Sequence, residues 1–179
     1  MKKVIWGVLS TAKIGRERVL PGMLKSSLLE IRAIASRDEV RGRAAADALG
    51  IPRAYGSYEA LLADPEIEAI YNPLPNHLHV ALTLQAAAAG KHVLCEKPIA
   101  LTADEATQLR AAAGKVLIAE AFMVRFHPQW LRARDLVREG RIGTLRAVQM
   151  FFGYNNVDPA NVRNKADIGG GGLYDIGCY

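Results

Sequence analysis

The chain has 179 residues, of which 50% are hydrophobic and 23% charged. This composition is typical of a folded globular protein and excludes a mainly disordered chain. At roughly 100 to 200 residues per domain, the length predicts one domain, or one domain and the start of another. The formal net charge of +5 suits an anionic ligand, but Lys and Arg are spread along the chain in ones and twos. This scattered charge does not favour a nucleic-acid-binding protein.

The cysteines and the N-terminus bear on cellular location. Cys95 and Cys178 show no CxxC spacing, so we predict neither a disulfide framework nor a metal site. The N-terminal lysines and short apolar run resemble a secretory signal, but the run continues into a helical pattern without a boundary, and we interpret it as a strand. No stretch approaches the ~18 apolar residues of a membrane span. We therefore predict a cytoplasmic protein without a membrane partner.

Strand-like and helix-like segments alternate up to about residue 122. Pro21 is expected to bend or shorten the first helix, Gly50 to close the second, and Thr102 to cap the fifth. In chain order, the predicted strands are residues 4–9, 29–36, 68–72, 91–96 and 115–121, and the predicted helices are residues 10–26, 39–50, 57–64, 76–90 and 102–114. This alternation predicts an α/β fold with a parallel sheet covered by helices on both faces.

The pattern changes beyond residue 122. We predict one more amphipathic helix over residues 127–140, a longer strand over residues 144–153, a polar loop up to Gly172, and a helix that starts at Gly172 or Leu173. We therefore divide the chain into a first domain, residues 1–122, and the beginning of an α+β domain, residues 123–179.

The turn after the first strand bears on cofactor binding. A Rossmann dinucleotide site has G-x-G-x-x-G here, so that the backbone can approach the pyrophosphate. Ser10 and Ala12 replace the first two glycines and only Gly15 remains, so the strict motif is absent. Small residues at such a turn are also common in ordinary packing, and the turn alone leaves both interpretations open. The predicted cofactor-binding residues of this turn are Ser10, Thr11, Ala12, Lys13 and Ile14.

The end of the second strand addresses the choice between NAD and NADP. An NAD site typically carries an acidic residue here for the ribose 2′-hydroxyl, whereas a 2′-phosphate is accommodated by Arg or small polar groups. Ser36 and Arg37 occupy this position, and Asp38 follows one step later. We predict NADP as the cofactor, with NAD tolerated. Taken alone, Arg37 is almost as readily interpreted as a solvated surface charge.

Six motifs together resemble one family. They are "VLSTAKIG", "ASRD", "PNHLH", "GKHVLCEKP", "AEAFMVRFHPQ" and "GGGGLYDIGCY". In this order and context they resemble the Gfo/Idh/MocA oxidoreductases, over essentially the whole chain. The resemblance implies a Rossmann dinucleotide-binding domain followed by a substrate and oligomerisation domain. It also implies an NAD(P)-dependent enzyme that transfers a hydride between nicotinamide and a CH–OH group of a sugar, polyol or diol.

The resemblance implies three catalytic residues. Lys97 matches the lysine that hydrogen-bonds the substrate oxygen. Asp175 and Tyr179 fall on the family's D-x-x-x-H positions, with Tyr in place of the commoner His. Tyr179 would share proton transfer with Lys97, and we expect the neighbouring positive charge to lower its pKa. Asp175 would position the sugar or the lysine, and the glycines before it would let the loop lie close to nicotinamide and substrate.

The resemblance also implies contacts to the cofactor from Asn76, His79, Glu96 and Lys97, and a cis peptide bond between Lys97 and Pro98. His77 and His79 lack further ligands at suitable spacing, so we predict no metal site.

Family members continue beyond the Asp-to-Tyr motif into a sheet that makes the subunit contact. The resemblance therefore implies that this chain is truncated, that the full-length form is a homo-oligomer, and that the 179-residue form binds cofactor with weak or no turnover. One alternative stays open at this point, a non-catalytic dinucleotide-binding or regulatory protein on the same scaffold.

Overall fold

The fold is described by a computed structural model that covers residues 2–179. Six strands form its sheet: β1 Val4–Leu9, β2 Leu29–Ala35, β3 Arg53–Tyr55, β4 Ala69–Asn72, β5 His92–Cys95 and β6 Ile118–Glu120. The α-helices are α1 Leu20–Met23, α2 Glu39–Leu49, α3 Tyr58–Leu62, α4 His79–Ala88, α5 Ala103–Gln108, α6 Arg110–Ala113 and α7 Pro128–Arg138. Shorter 3₁₀ or π-helical turns are Gly15–Val19, Asn76–Leu78, Met123–Arg125, Val162–Asn164, Ala166–Ile168 and Leu173–Gly177.

All strands of the sheet are parallel, in the order β3-β2-β1-β4-β5-β6. The order reverses between β1 and β4, which is the arrangement of a Rossmann dinucleotide-binding fold. The predicted α/β class is therefore confirmed, and five of the strands were predicted. The edge strand β3 was missed because its sequence, Arg53–Tyr55, contains no apolar run and it forms by pairing with β2, a contact that local periodicity does not report.

Apolar side chains pack on both faces of the sheet. On β1, Leu9 joins the cluster that contains Leu61 and Ile70, whereas the preceding Val8 joins the opposite cluster with Ile34 and Tyr71. Successive residues of a strand point to opposite faces. A sheet covered on both sides therefore produces the continuous apolar runs from which these strands were predicted.

Three predicted helix signals have the expected positions. Pro21 lies in the first turn of α1, directly after the π-helical turn. The Thr102 hydroxyl accepts a hydrogen bond from the backbone N–H of Glu105 at 3.1 Å, which caps α5. Gly50 ends α2 with φ of 66°, in the left-handed region that glycine adopts without a steric penalty.

The second part of the chain contains one confirmed helix and one wrong strand. The helix predicted over residues 127–140 is α7. Residues 144–153 form no strand, and Phe151 within them is 98% exposed. A segment with alternating side chains forms a strand only where a neighbouring backbone exchanges hydrogen bonds with it. No described residue supplies that partner here. The helix predicted near Gly172 is a single π-helical turn, Leu173–Gly177.

Within residues 2–179, no helix is both long enough and apolar enough to cross a membrane.

Candidate active site

A cleft of about 280 Å³ opens at the carboxyl ends of the central strands. Its walls come from the segments that follow β1, β2, β3 and β4, and those after β1 and β4 meet where the strand order reverses. Open α/β sheets bind their ligands at this point. The residues that line the cleft are Ser10, Thr11, Ala12, Ser36, Arg37, Asp38, Arg41, Tyr58, Leu74 and Pro75. We call it the nucleotide cleft.

Ser10 has the backbone conformation of the glycine that it replaces. Its φ is 78°, in the left-handed region, and its N–H donates to the Ala35 carbonyl at 2.8 Å. The Ser10 hydroxyl accepts a hydrogen bond from the Ala12 N–H at 3.1 Å, which holds the turn in place. The turn therefore keeps the path of a dinucleotide-binding loop although the glycine motif is absent from the sequence.

The end of β2 presents the Ser36 hydroxyl, the Arg37 guanidinium and the Asp38 carboxylate to the nucleotide cleft. The Ser36 hydroxyl accepts from the Asp38 N–H at 3.2 Å, and Asp38 accepts from the Arg41 N–H at 3.0 Å. Asp38 thus caps α2 instead of standing in for the acidic ribose ligand. Arg37 lies near the Tyr58 hydroxyl: burial raises the pKa of Tyr58, and the charge of Arg37 opposes that rise.

Five lining residues were not among the predicted site residues: Asp38, Arg41, Tyr58, Leu74 and Pro75. Arg41 could have been found, because it lies in the first turn of the helix predicted to follow Arg37, and the start of that helix faces the same end of the sheet as the end of β2. Six predicted cofactor-binding residues do not line this cleft: Lys13, Ile14, Asn76, His79, Glu96 and Lys97. Lys13 is exposed and pairs with Glu17 at 4.0 Å, and Ile14 is partly exposed at the start of the first helix.

A second group of predicted residues meets in the turn after β5. The Lys97 ammonium donates to the Asp175 carbonyl oxygen, lies 3.4 Å from the Asp175 carboxylate, and is 5.0 Å from the centroid of the Tyr179 ring. The side chains of Lys97 and Asp175 are only 13% and 14% exposed. The Lys97-Pro98 peptide bond is cis, as expected. The fold therefore brings together three residues that are up to 82 positions apart in the chain.

Asp175 is surrounded by donors. One carboxylate oxygen accepts from the Tyr154 hydroxyl at 2.9 Å and from the Arg163 guanidinium at 2.8 Å. Burial alone would raise the pKa of Asp175, but these hydrogen bonds and the charges of Arg163 and Lys97 hold it below its usual value. Asp175 is therefore ionised at neutral pH and fixes the Lys97 side chain.

The expected pKa shift of Tyr179 was wrong in direction. Burial, followed by the negative charges of neighbouring groups of which Glu96 is the largest contributor, raises its pKa to about 12. Its ring also packs against Phe122, with centroids 5.1 Å apart. The nearby ammonium of Lys97 does not reverse these effects, because desolvation of the phenolate is the larger contribution. Tyr179 is therefore a protonated phenol at neutral pH.

Glu96 faces inward from the residue before Lys97. Its carboxylate accepts from the Tyr71 hydroxyl at 2.7 Å and from the Lys97 N–H at 3.3 Å. Tyr71 is fully buried. Burial and the adjacent carboxylate raise the pKa of Tyr71, so its hydroxyl remains a donor that fixes the side chain of Glu96. The sequence reasoning did not single out Tyr71.

Asn76 connects the two parts of the chain. Its amide donates to the Gly169 carbonyl at 2.8 Å. Gly169 has φ of 82°, and a side chain there would collide with Leu101. A side chain at Gly170 would lie 2.5 Å from the Lys165 carbonyl. The glycine run therefore lets this loop pack against the Rossmann part and against its own backbone.

His79 has a different environment from that of a cofactor-binding residue. It is 0% exposed, and its ring nitrogens lie 2.7 Å from the carbonyl oxygens of Pro98 and Leu74. Burial lowers its pKa despite these contacts. This geometry supports a role for His79 in joining the turn after β5 to the loop after β4, and its contact with the cofactor stays a prediction.

The arrangement combines an anion-binding cleft with a proton-handling group. Loop backbone and arginine side chains suit a phosphorylated dinucleotide, and we conclude that the residues present fit NADP. An ammonium and a phenol close to each other, next to an ionised carboxylate, can hold and transfer a proton at one substrate oxygen.

Comparison with known proteins identifies what the chain is similar to. A model described as an oxidoreductase family with an NAD-binding Rossmann fold matches residues 4–118, and a Gfo/Idh/MocA C-terminal domain model matches residues 130–179. An uncharacterized oxidoreductase of Rhizobium meliloti is 54% identical over 100% of this chain and 54% of its own length. The D-xylose 1-dehydrogenase (NADP(+)) 2 of Haloferax volcanii is 46% identical over 98% of this chain and 54% of its own length.

Solved structures agree with these relatives. A 3-ketoreductase from Actinomadura kijaniata, in complex with NADP and TDP-benzene, superposes with a TM-score of 0.87 at 34% identity, over 99% of this chain and 55% of that one. The chain thus spans about half the length of the curated relatives that it matches.

Proposed function

Because the chain belongs to the Gfo/Idh/MocA oxidoreductase family, we propose that the protein is an NAD(P)-dependent dehydrogenase or reductase. Its substrate is a sugar, polyol or diol, and the reacting group is a CH–OH carbon or the corresponding carbonyl. The substrate class is supported by the relatives named above, which include a D-xylose 1-dehydrogenase and a 3-ketoreductase.

The observation that carries this proposal is the contact of Lys97 with Asp175 and Tyr179. Lys97 follows β5, and β5 pairs with β4, whose following loop lines the nucleotide cleft. The Lys97 ammonium is therefore on the same carboxyl edge of the sheet as the cleft. We therefore propose that a substrate oxygen at Lys97 comes close to the nicotinamide of a cofactor bound in the cleft.

The proposed mechanism assigns one task to each side chain. Lys97 donates a hydrogen bond to the substrate oxygen and polarises its bond to carbon. In reduction, Tyr179 donates its phenolic proton to this oxygen as the carbonyl becomes a hydroxyl and is left as a phenolate; in oxidation, the phenolate form of Tyr179 receives the proton of the substrate hydroxyl. Asp175 keeps the ammonium in position through its carboxylate. When bound, NADP or NADPH supplies the hydride acceptor or donor.

We propose NADP as the preferred cofactor, with NAD tolerated. Ser36, Arg37 and Arg41 line the cleft after β2, and the carboxylate of Asp38 is engaged in capping α2. A 2′-phosphate in this position is met by positive charge, whereas the acidic ligand that favours a ribose hydroxyl is absent from the predicted position.

Further features of the whole protein belong to the same proposal. Residues 1–122 would form the dinucleotide-binding domain, and residues 123–179 the first part of the substrate domain. We infer a homo-oligomer that binds small molecules rather than nucleic acid, in the cytoplasm. The location is supported by the two cysteines, which are both free in the described structure.

The test combines binding with turnover. The protein is titrated with NADPH by fluorescence, and NADPH formation is followed with a panel of aldoses, polyols and diols. Lys97→Met is expected to abolish turnover while it leaves NADPH affinity within about twofold, because the lysine serves the substrate oxygen rather than the nucleotide. Lys115→Met, at an exposed lysine in the same half of the chain, is the matched control and should change neither value.

Two results would contradict the proposal. Turnover by the Lys97→Met variant at the wild-type rate would remove the lysine from the mechanism. Tight NADPH binding by the full-length protein, without turnover of any member of the panel, would favour the non-catalytic dinucleotide-binding alternative.

A further inference from the structure

A second cleft, of about 330 Å³, adjoins the nucleotide cleft. It is lined by Thr11, Arg16, Arg41, Ala44, Ala45 and Ala48. Thr11 and Arg41 also line the nucleotide cleft, so the two spaces are continuous at these residues. One wall comes from the first helix and the other from α2. We call this space the arginine cleft.

Arg16 is held in the arginine cleft by its own loop. Its Nε donates to the Thr11 carbonyl oxygen at 2.9 Å. This bond uses one donor of the guanidinium and leaves the donors of both terminal nitrogens for another acceptor. The side chain is therefore oriented before any ligand arrives.

The positive charge of the arginine cleft is poorly neutralised. Within residues 2–179, no carboxylate oxygen lies within 4.0 Å of the Arg16 guanidinium, whereas the nearest carboxylate to Arg41 is that of Asp38 at 3.9 Å. Asp38 already accepts a hydrogen bond from the backbone of α2. Two guanidinium groups that face one space without a close counter-ion favour a multiply charged anion between them.

The small side chains of α2 leave room for such an anion. Ala44, Ala45 and Ala48 form the wall opposite Arg16, and none of them carries a group that could pair with it. A planar guanidinium donates two parallel hydrogen bonds to phosphate oxygens, which suits arginine better than lysine to this task. The chemistry of the cleft is therefore that of a phosphate monoester site.

We propose that Arg16, together with Arg41, binds the 2′-phosphate of NADP(H) from the side opposite Ser36 and Arg37, and that it is a specificity-determining residue for the cofactor. The proposal rests on the proposed function. Arg41 belongs to both clefts, and it follows β2, the strand whose carboxyl end meets the adenosine ribose in this fold. An anion held by Arg41 is thus within the space that Arg16 faces.

The experiment measures binding rather than turnover. Wild-type protein and the Arg16→Gln variant are titrated with 2′,5′-ADP, 5′-AMP, NADPH and NADH. Loss of Arg16 should lower the affinity for 2′,5′-ADP and for NADPH by about tenfold, as expected for a charge-assisted hydrogen bond. The affinities for 5′-AMP and NADH should change by less than about twofold. Arg18→Gln, at an exposed arginine of the same helix that does not line the cleft, is the matched control and should change none of the four.

A double-mutant cycle tests the partnership. Arg16→Gln and Arg41→Gln should be non-additive for 2′,5′-ADP, because both groups bind one phosphate. Arg16→Lys keeps the charge without the paired donors and should recover only part of the affinity. Thermal unfolding of each variant verifies that the helix is intact.

Each outcome has one meaning. Equal weakening of 2′,5′-ADP and 5′-AMP would assign Arg16 to the 5′-phosphate side and overturn the proposal. If the Arg16→Gln variant binds all four ligands with unchanged affinity, Arg16 is a solvated surface residue and the proposal is also overturned. A wild-type protein that binds NADPH no more tightly than NADH would instead contradict the cofactor preference in the proposed function.

Discussion

Tyr179 is the residue at which burial most affects the proposed chemistry. With its pKa raised to about 12 from an ordinary value of 10.0, it keeps its proton over the whole neutral range. It is suited to donate a proton during carbonyl reduction, and alcohol oxidation at this site should be favoured by alkaline conditions.

We predict that the phenolate absorbance of Tyr179 appears near pH 12 and not near pH 10.0. The measurement is the difference in alkaline phenolate titration between the wild type and Tyr179→Phe. Since the folded state holds the proton more tightly than the unfolded chain, this group favours the folded state fully below pH 10.0, and that contribution is lost as the pH rises towards about 12. If the absorbance that the wild type has and Tyr179→Phe lacks appears near pH 10.0, the prediction is wrong.

The same variant tests the proton transfer itself. Tyr179→Phe should lower the reduction rate by about 10² to 10⁴, the usual contribution of a general acid or base. Its effect should be non-additive with Lys97→Met, because both residues act at one oxygen. An unchanged rate would show that the phenol is not the proton donor.

Asp175 gives a prediction about stability. Asp175→Asn removes the charge that accepts from Tyr154 and Arg163, and we expect a loss of about 2 kcal/mol in the free energy of unfolding at neutral pH. Because the pKa of Asp175 is held below 3.8, the stabilisation is present above that pH and disappears as the pH falls through the lowered pKa. Urea denaturation at neutral and acidic pH measures the difference, and the exposed Asp167→Asn serves as control. A loss of equal size at both pH values would exclude the ion-pair explanation.

At the scale of the elements, the central strand β1 packs closely against helix α3 and the segment before β4. A Cβ at Gly7 would lie 2.7 Å from a methyl carbon of Leu61 and 3.2 Å from Ile67. The register of β1 against β2 also shifts between Trp6 and Gly7. The strand therefore requires glycine for space, at the point where its pairing is irregular.

We predict opposite effects for two glycine substitutions. Gly7→Ala should reduce the free energy of unfolding by about 1–3 kcal/mol through overpacking. Gly22→Ala, in the helix α1 with open space around its Cα, should raise it by about 0.4–1 kcal/mol by restricting the unfolded chain. Chemical denaturation of the two variants provides the comparison, and equal effects would mean that helix α3 and the segment before β4 adapt to the methyl group.

At the scale of the whole molecule, the electrostatic field of the nucleotide cleft governs cofactor choice. The chain carries a net charge of +5, and Arg37 and Arg41 line the cleft itself. The 2′-phosphate adds negative charge at a partly exposed position, where dissolved salt screens its attraction to the arginines.

We therefore predict that the preference for NADPH over NADH decreases as salt concentration rises. The Debye length falls from about 8 Å at ~0.15 M to about 3 Å at 1 M, so NADPH affinity should fall more steeply than NADH affinity over this range. Fluorescence titrations at several salt concentrations give the two slopes. Arg37→Ala should bring the slopes closer together, and parallel slopes in the wild type would contradict the charge-based explanation.

Local sequence predicted most of the first part of the fold, because its elements carry their own signals. The buried strands appear as apolar runs, and Thr102 and Gly50 mark helix ends through hydrogen bonds and φ values that depend on neighbouring residues only. Residues 144–153 had the same strand-like composition, but they pair with no described strand. A helix hydrogen-bonds within itself, whereas a strand depends on a distant backbone.

The sequence by itself determined the α/β class, the Rossmann turn and the candidate residues, through periodicity and family-like motifs. Only the tertiary structure decided how these residues interact. Contacts across 78 positions set Asp175 against Lys97, burial reversed the expected pKa shift of Tyr179, and packing enclosed His79 away from the nucleotide cleft. Desolvation and charge pairing depend on what surrounds a group in space, and residue order along a chain does not contain that information until the chain is folded.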